Sequence, residues 1–214
     1  MDMSVMLGFV VAVFLVSVVP GPDMLFVVAN AAAGGRRTGV VAAAGMSTGL
    51  AVHSVAAALG LGALIQAAPQ VLNGVRIAGA AFLLYLAYLT WRASGQEVTT
   101  TEETPQLPRR TLRRTYVMAT LTNLANPKVI LFYLAFVPQF ITTGSGSWPA
   151  TLQFLVLGAV FIMVGFPVDA GAALLAGTLT DRIFRAGRRI RRRLERVTAA
   201  IFAGLAVRLA ADLR

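Results

Sequence analysis

Few side chains in this sequence could do chemistry, and three of the charged ones lie inside apolar runs. Lys128 is the only lysine among 214 residues; the other 18 basic residues are arginines, most of them between the runs. It lies roughly midway along the run Tyr116 to Ile141, beside Asn126 and Pro127, where a proline removes a rung of the helical ladder. Pro20, Gly21 and Pro22 interrupt the first run in the same way, and Asp23 follows them. Each motif is a helix break followed by a charge, and the two charges have opposite signs. A charge near the centre of a bilayer costs at least ~2.5–3.5 kcal/mol, and pairing offsets part of that. One reading is a structural ion pair that locks the two runs together. The other, favoured here, is that the breaks open backbone groups onto a cavity. Half-helix N-termini then favour an anionic group such as a carboxylate.

Asp169 follows Pro167 in the fifth run and is expected to be a third break with a charge. An ionised carboxylate is costly there, which makes Asp169 a candidate proton carrier; the alternative is a hydrogen bond to a neighbouring helix. With both aspartates and Lys128 charged, the interior carries one net negative charge, which a proton or a cationic substrate group would neutralise. His53 lies on a stripe with Gly45, Gly49, Ala56 and Gly60, spaced for close helix approach. A histidine bonded across a packed interface is the first reading and a proton relay the second. Asn30, Asn123 and Asn126 can supply amide contacts, with Asn126 best placed; Arg76, Arg92 and Arg208 lie near run ends and are expected to snorkel.

The elements that must position these residues are long and apolar. The chain is 57% hydrophobic and 13% charged, against about 25% charged in soluble domains. The sequence predicts an all-α, polytopic membrane protein of six transmembrane helices. The spans run from about Ser4 to Ala33, Gly39 to Ala67, Val75 to Trp91, Tyr116 to Ile141, Ala150 to Leu179 and Val197 to Ala211; a bilayer needs about 20 helical residues. Arginines mark the connections after spans one, three and five, while those after spans two and four are uncharged. By the positive-inside rule loops 34–39, 93–115 and 180–196 are cytoplasmic and both termini lie outside. Met1-Asp2-Met3 lacks a basic n-region, so a cleaved signal peptide is not expected.

The polar stretch 94–115 reads as a cytoplasmic linker between two three-helix halves, residues 1–93 and 116–214. Three spans per half place the halves in opposite orientation, the arrangement of an inverted repeat with broken helices 1 and 4. The segment 181–196 holds eight arginines, with Ile183, Gly187, Ile190 and Leu194 on one helical stripe. It reads as a basic amphipathic helix on anionic lipid, in preference to a nucleic-acid site. The chain has no cysteine and one histidine, so no disulfide and no metal site is expected. No phosphate-binding loop, HExxH or GxSxG occurs, which argues against ATP hydrolysis and against a zinc protease or serine hydrolase. No cofactor is expected, and the protein is not expected to be an enzyme.

The sequence resembles the LysE/RhtB family of bacterial amino-acid exporters. The resemblance rests on Pro20-Gly21-Pro22-Asp23 with Gly34-Gly35-Arg36-Arg37-Thr38-Gly39, on the small-residue second span with His53, and on Leu83-Leu84-Tyr85-Leu86-Ala87-Tyr88 before Trp91. It continues through Leu121-Thr122-Asn123-Leu124-Ala125-Asn126-Pro127-Lys128 to Phe136-Val137-Pro138-Gln139-Phe140. It implies an exporter of amino acids or their small derivatives in the bacterial inner membrane, driven by an ion gradient, with protons the expected ion. Family function carried over by position falls on Gly21, Asp23, Asn126 and Lys128, whereas Asp169 rests on its own chemistry. A passive channel, or an exporter of another solute or a metal ion with the same architecture, is the alternative. A homodimer is compatible with the small-residue stripes.

Overall fold

The computed structural model describes residues 3–18, 21–67, 111–142 and 146–183, with isolated positions between 74 and 92 and between 196 and 207. Pro20, the expected third and sixth spans, the linker 94–110 and the basic segment 181–196 lie wholly or largely outside the described residues.

All the regular secondary structure among the described residues is helical. The first run forms α1 (Met3–Val18) and α2 (Pro22–Gly34), and the second forms α3 (Arg36–Ala67). Pro22 starts α2 where a missing N–H costs nothing, with Gly21 as an extended N-cap. A single residue, Gly35, separates α2 from α3 and takes φ 85°, which glycine adopts without strain. The fourth run forms α4 (Leu112–Leu124), capped by the Thr111 hydroxyl, and then α5 (Pro127–Leu131), capped by the Asn126 amide oxygen. A π-helical turn over Phe132–Phe136 and a 3-10 turn over Val137–Phe140 follow. Pro138 in the second turn has no N–H for a standard ladder, which accounts for the irregular register. The fifth run is one helix, α6 (Ala150–Ile183), with Pro167 inside it.

Among the described residues, α3 over Arg36–Gly62 and α6 over Ala150–Ala176 are each long and apolar enough to cross a bilayer. The pair α1 and α2 is bent by 53°, and α4 with the segment Pro127–Phe140 by 48°; each pair taken together is long enough for one further span. The apolar surface left outward, including Leu7, Phe14, Leu59 and Met163, suits lipid. The chain is a multi-pass membrane protein.

The close contacts fix relative directions. Gly45 meets Tyr116 and Gly49 meets Asn123, so α3 and α4 run parallel. Gly39 meets Ala173, Gly158 meets Ser54 and Gly62 meets Thr151, so α3 and α6 run antiparallel. Phe9 packs on Phe140, while the Val16 carbonyl meets Lys128, so α1 runs antiparallel to the chain after α4. At Gly45, Gly49 and Gly158 a side chain would strike the neighbouring helix or its side chains, so the absence of Cβ sets the helix separation. Of the predicted stripe, Gly45 and Gly49 pack on α4 and His53 reaches it. Ala56 and Gly60 are exposed among the described residues.

Two apolar clusters form the core. One is rich in aromatics: Phe9, Phe132, Phe136, Phe140, Phe154 and Phe161 interlock with Val16 and Leu50. The other is built mostly of small residues, with Ala31, Ala42, Ala43, Ala119, Ala173 and Ala176 around Val27 and Met46. At one end of the aromatic cluster the fully buried Gln153 joins Thr142 to Trp148. Its side chain accepts from the Thr142 N–H at 3.0 Å and donates to the Thr142 and Trp148 carbonyls at 2.9 and 2.7 Å.

Candidate functional site

The two clusters meet where the chain is least regular. Along α1 and α2 the aromatic cluster ends at Val16 and the alanine cluster resumes at Val27. Along α6 the corresponding limits are Phe161 and Ala173. The gap between them is a cavity of about 40 Å³, room for only one or a few waters. Gly21, Asp23, Asn123, Lys128 and Asp169 all line it, although they come from the first break and four different helices. Val129, Phe132 and Phe161 close its apolar side.

Lys128 is held in an unpredicted way. Its ammonium donates to the Val16 carbonyl at 2.7 Å. In a continuous helix that carbonyl would accept from residue 20, but residue 20 is proline and has no N–H. The lysine therefore serves a carbonyl whose ordinary helical donor is missing, at the negative end of the α1 dipole. Asp23, then Asp169, are the carboxylates that interact with it electrostatically. A Cβ at Gly21 would lie 3.5 Å from Nζ, an ordinary contact distance, so Gly21 lies directly against the lysine.

Asp23 sits in the first turn of α2, where the positive end of the helix dipole favours an anion. Its Oδ2 accepts from Asn123 Nδ2 at 3.2 Å. Asn123 thus ties the end of α4 to the start of α2. Asn126 caps α5 by accepting from the Lys128 N–H at 3.0 Å. Its amide turns toward Asp23 without reaching hydrogen-bond geometry. Asp23 Oδ1, Asn123 Oδ1 and Asn126 Nδ2 are buried with no hydrogen-bond partner among the described residues. Buried polar atoms are rarely left unpaired, and a cluster of them beside a cavity marks a place for water or ligand.

His53 does not line the cavity. Its Nε2 lies 3.4 Å from the Asn123 carbonyl oxygen. The helical donor to that carbonyl would be residue 127, again a proline. Asn126 N–H also reaches it, at 3.0 Å, so the histidine supplies a second contact. The His53 ring stacks on Tyr133, centroids 5.7 Å apart. The Tyr133 and Ser54 hydroxyls lie 2.7 Å apart and share the Leu50 carbonyl. Neither Tyr133 nor Ser54 was singled out from the sequence, where each reads as an ordinary residue of an apolar run. Asn30 turns back to its own helix, donating to the Phe26 carbonyl at 2.8 Å.

One expectation is corrected. Asp169 does not follow a helix break: α6 continues through Pro167. A lone proline removes one rung, and the neighbouring rungs and packed helices hold the rest. At the other sites the proline is joined by a second breaker, Gly21 with Pro22 or Asn126 as a cap. Asp169 still faces the cavity, carried there by an unbroken helix.

The chain matches the family described as LysE type translocator over residues 14–213. The chain belongs to this family. It is similar to an uncharacterised membrane protein of Pseudomonas aeruginosa, 34% identical over 94% of this chain and 93% of the relative. It is also similar to an uncharacterised membrane protein of Vibrio cholerae, 32% identical over 98% of both chains. The homoserine/homoserine lactone efflux protein of Salmonella typhimurium is 35% identical over 76% of this chain and 75% of its own length. No solved structure matches the chain significantly. As a LysE type translocator it is a membrane transport protein and not an enzyme.

Proposed function

We propose that this protein is a secondary transporter that exports amino acids or small amino-acid derivatives from the cytoplasm, coupled to the proton gradient. The observation that carries this reading is the convergence of Asp23, Lys128 and Asp169 on one cavity at two helix breaks. A zwitterion needs both signs of charge within a few ångströms. Its carboxylate would meet Lys128 and the N-terminus of α2, and its ammonium Asp23 or Asp169. The name of the Salmonella efflux relative supports homoserine and its lactone as the first candidates to test. The lactone lacks a carboxylate but keeps the amine, so it would use the aspartates alone. The cavity is too small for either, so on this reading it widens when substrate loads.

The membrane arrangement we infer is six spans in two inverted halves, 1–93 and 116–214, joined by the cytoplasmic linker 94–115. The opposed directions of the first and fourth spans and their similar bends of 53° and 48° support it. The Arg196 guanidinium lies 5.6 Å over the Trp91 ring, which joins the end of the third span to the start of the sixth. Both ends are cytoplasmic when loops 34–39, 93–115 and 180–196 face inward and the termini outward. The arginines of 181–196 then face anionic lipid of a bacterial inner membrane.

Counterflow in proteoliposomes tests the function. Vesicles loaded with one unlabelled amino acid should take up its labelled form in a saturable way, and an imposed pH gradient should drive accumulation. Lys128→Ala should abolish uptake while the protein remains inserted and folded. Full uptake by that variant would remove Lys128 from the mechanism. Accumulation indifferent to the pH gradient would remove the proton, and linear, unsaturable flux would mean a channel.

A further inference from the structure

We propose that Gly165 sets the size of the side chain the cavity accepts, and that the substrate is an amino compound with a short, uncharged side chain. This rests on the transport reading above and adds its specificity. Two ladders of residues define the cavity from end to end. On α6, Asp169, Gly165 and Phe161 are four apart and so share one face, with Phe161 ~12 Å along the axis from Asp169. On the opposite wall, Lys128 and Phe132 are also four apart, joined by the Phe132 N–H to the Lys128 carbonyl. The rings of Phe132 and Phe161 meet edge to face at 4.8 Å. The charges therefore occupy one end of the cavity, and an aromatic pair closes the other.

Gly165 lies between them, and packing does not require a glycine there. A Cβ at Gly45, Gly49 or Gly158 would collide with a neighbour. At Gly165 it would lie 3.6 Å from Ser17 Oγ and 3.7 Å from the Phe161 ring, ordinary contact distances. An alanine would fit without moving the helices, and its methyl would take room from the cavity that Gly165 lines. The missing side chain is thus space held open beside the charged end. That space leads to Phe132, Phe161 and Leu50, with no charged residue among the described wall at that end. A lysine or arginine side chain would bring its charge there unpaired, at a prohibitive cost. A short apolar or hydroxylated chain would bring no such charge, and Ser17 supplies the one hydroxyl on the described wall.

Counterflow with alanine, homoserine, leucine and lysine, in the unmodified protein and in Gly165→Ala and Phe161→Ala, tests this. The unmodified protein should exchange the small uncharged amino acids and exchange lysine at least about tenfold more slowly. Gly165→Ala should lower the ratio of homoserine to alanine exchange about tenfold, the scale of one methyl in a tight pocket. Phe161→Ala should raise the ratio of leucine to alanine exchange. Equal loss on all substrates in Gly165→Ala, unchanged ratios in both variants, or lysine exchange as fast as homoserine would overturn the size filter alone. Failure of the unmodified protein to exchange any amino acid would overturn the transport reading together with it.

Discussion

At the first break the Val16 carbonyl, deprived of a helical donor by Pro20, receives the Lys128 ammonium at 2.7 Å. At the second, the Asn123 carbonyl, deprived by Pro127, has the Asn126 N–H at 3.0 Å and His53 Nε2 at 3.4 Å. Both breaks solve the same problem, since an unpaired backbone group inside a bilayer costs several kcal/mol. They solve it with different side chains. The first break depends on a single charged group that belongs to the other break, and that group also faces the cavity. The second is largely satisfied by its own backbone, and its histidine is an accessory. Pro167 shows the third outcome, a proline that leaves its helix whole. A break that borrows its cap from the site is coupled to whatever occupies the site; a self-sufficient one is not.

The coupling breaks most sharply at Lys128. Replacement by methionine should remove counterflow by more than about a hundredfold and lower stability by about 1–3 kcal/mol, the cost of one unsatisfied buried acceptor. Adding Pro20→Ala restores an N–H for Val16. The double variant should regain thermal stability in detergent without regaining transport. Recovery of both would mean that Lys128 acts only as a cap, and recovery of neither would mean that Val16 is not the group that matters. His53→Ala should cost less, about 0.5–1.5 kcal/mol, with counterflow slowed about tenfold or less. A complete loss would promote the histidine from support to proton path. Pro167→Ala should have the smallest effect, with counterflow within about twofold and stability slightly raised by the regained rung. A large loss would show that α6 bends during transport.

The pairing of a proline with a charge was legible because both features are local: Pro22 with Asp23, and Pro127 with Lys128, are neighbours in the chain. Their convergence on one cavity followed from the cost of isolated charges in lipid. Asp169 was legible as a charge but not as part of an unbroken helix, because whether one proline breaks a helix depends on the helices packed around it. The π-helical turn and the contacts of Tyr133 with Ser54 and Leu50 depend on the packing of α3 against the fourth run, and no local pattern announces them. The Lys128 contact with Val16 lies between these cases. That Pro20 strands the Val16 carbonyl can be read directly; which donor rescues it cannot.

The contact between Lys128 and Val16 joins residues 112 apart, and this separation has a meaning for biogenesis. A ribosome adding ~5–20 residues per second takes roughly 5–20 s to make the intervening chain. Throughout that time the first span exists without its cap. Its stranded carbonyl must be met by water, lipid headgroup or the insertion machinery, so the first bend is held open by solvent before it is held by lysine. The first span therefore completes its final shape after the fourth has been made.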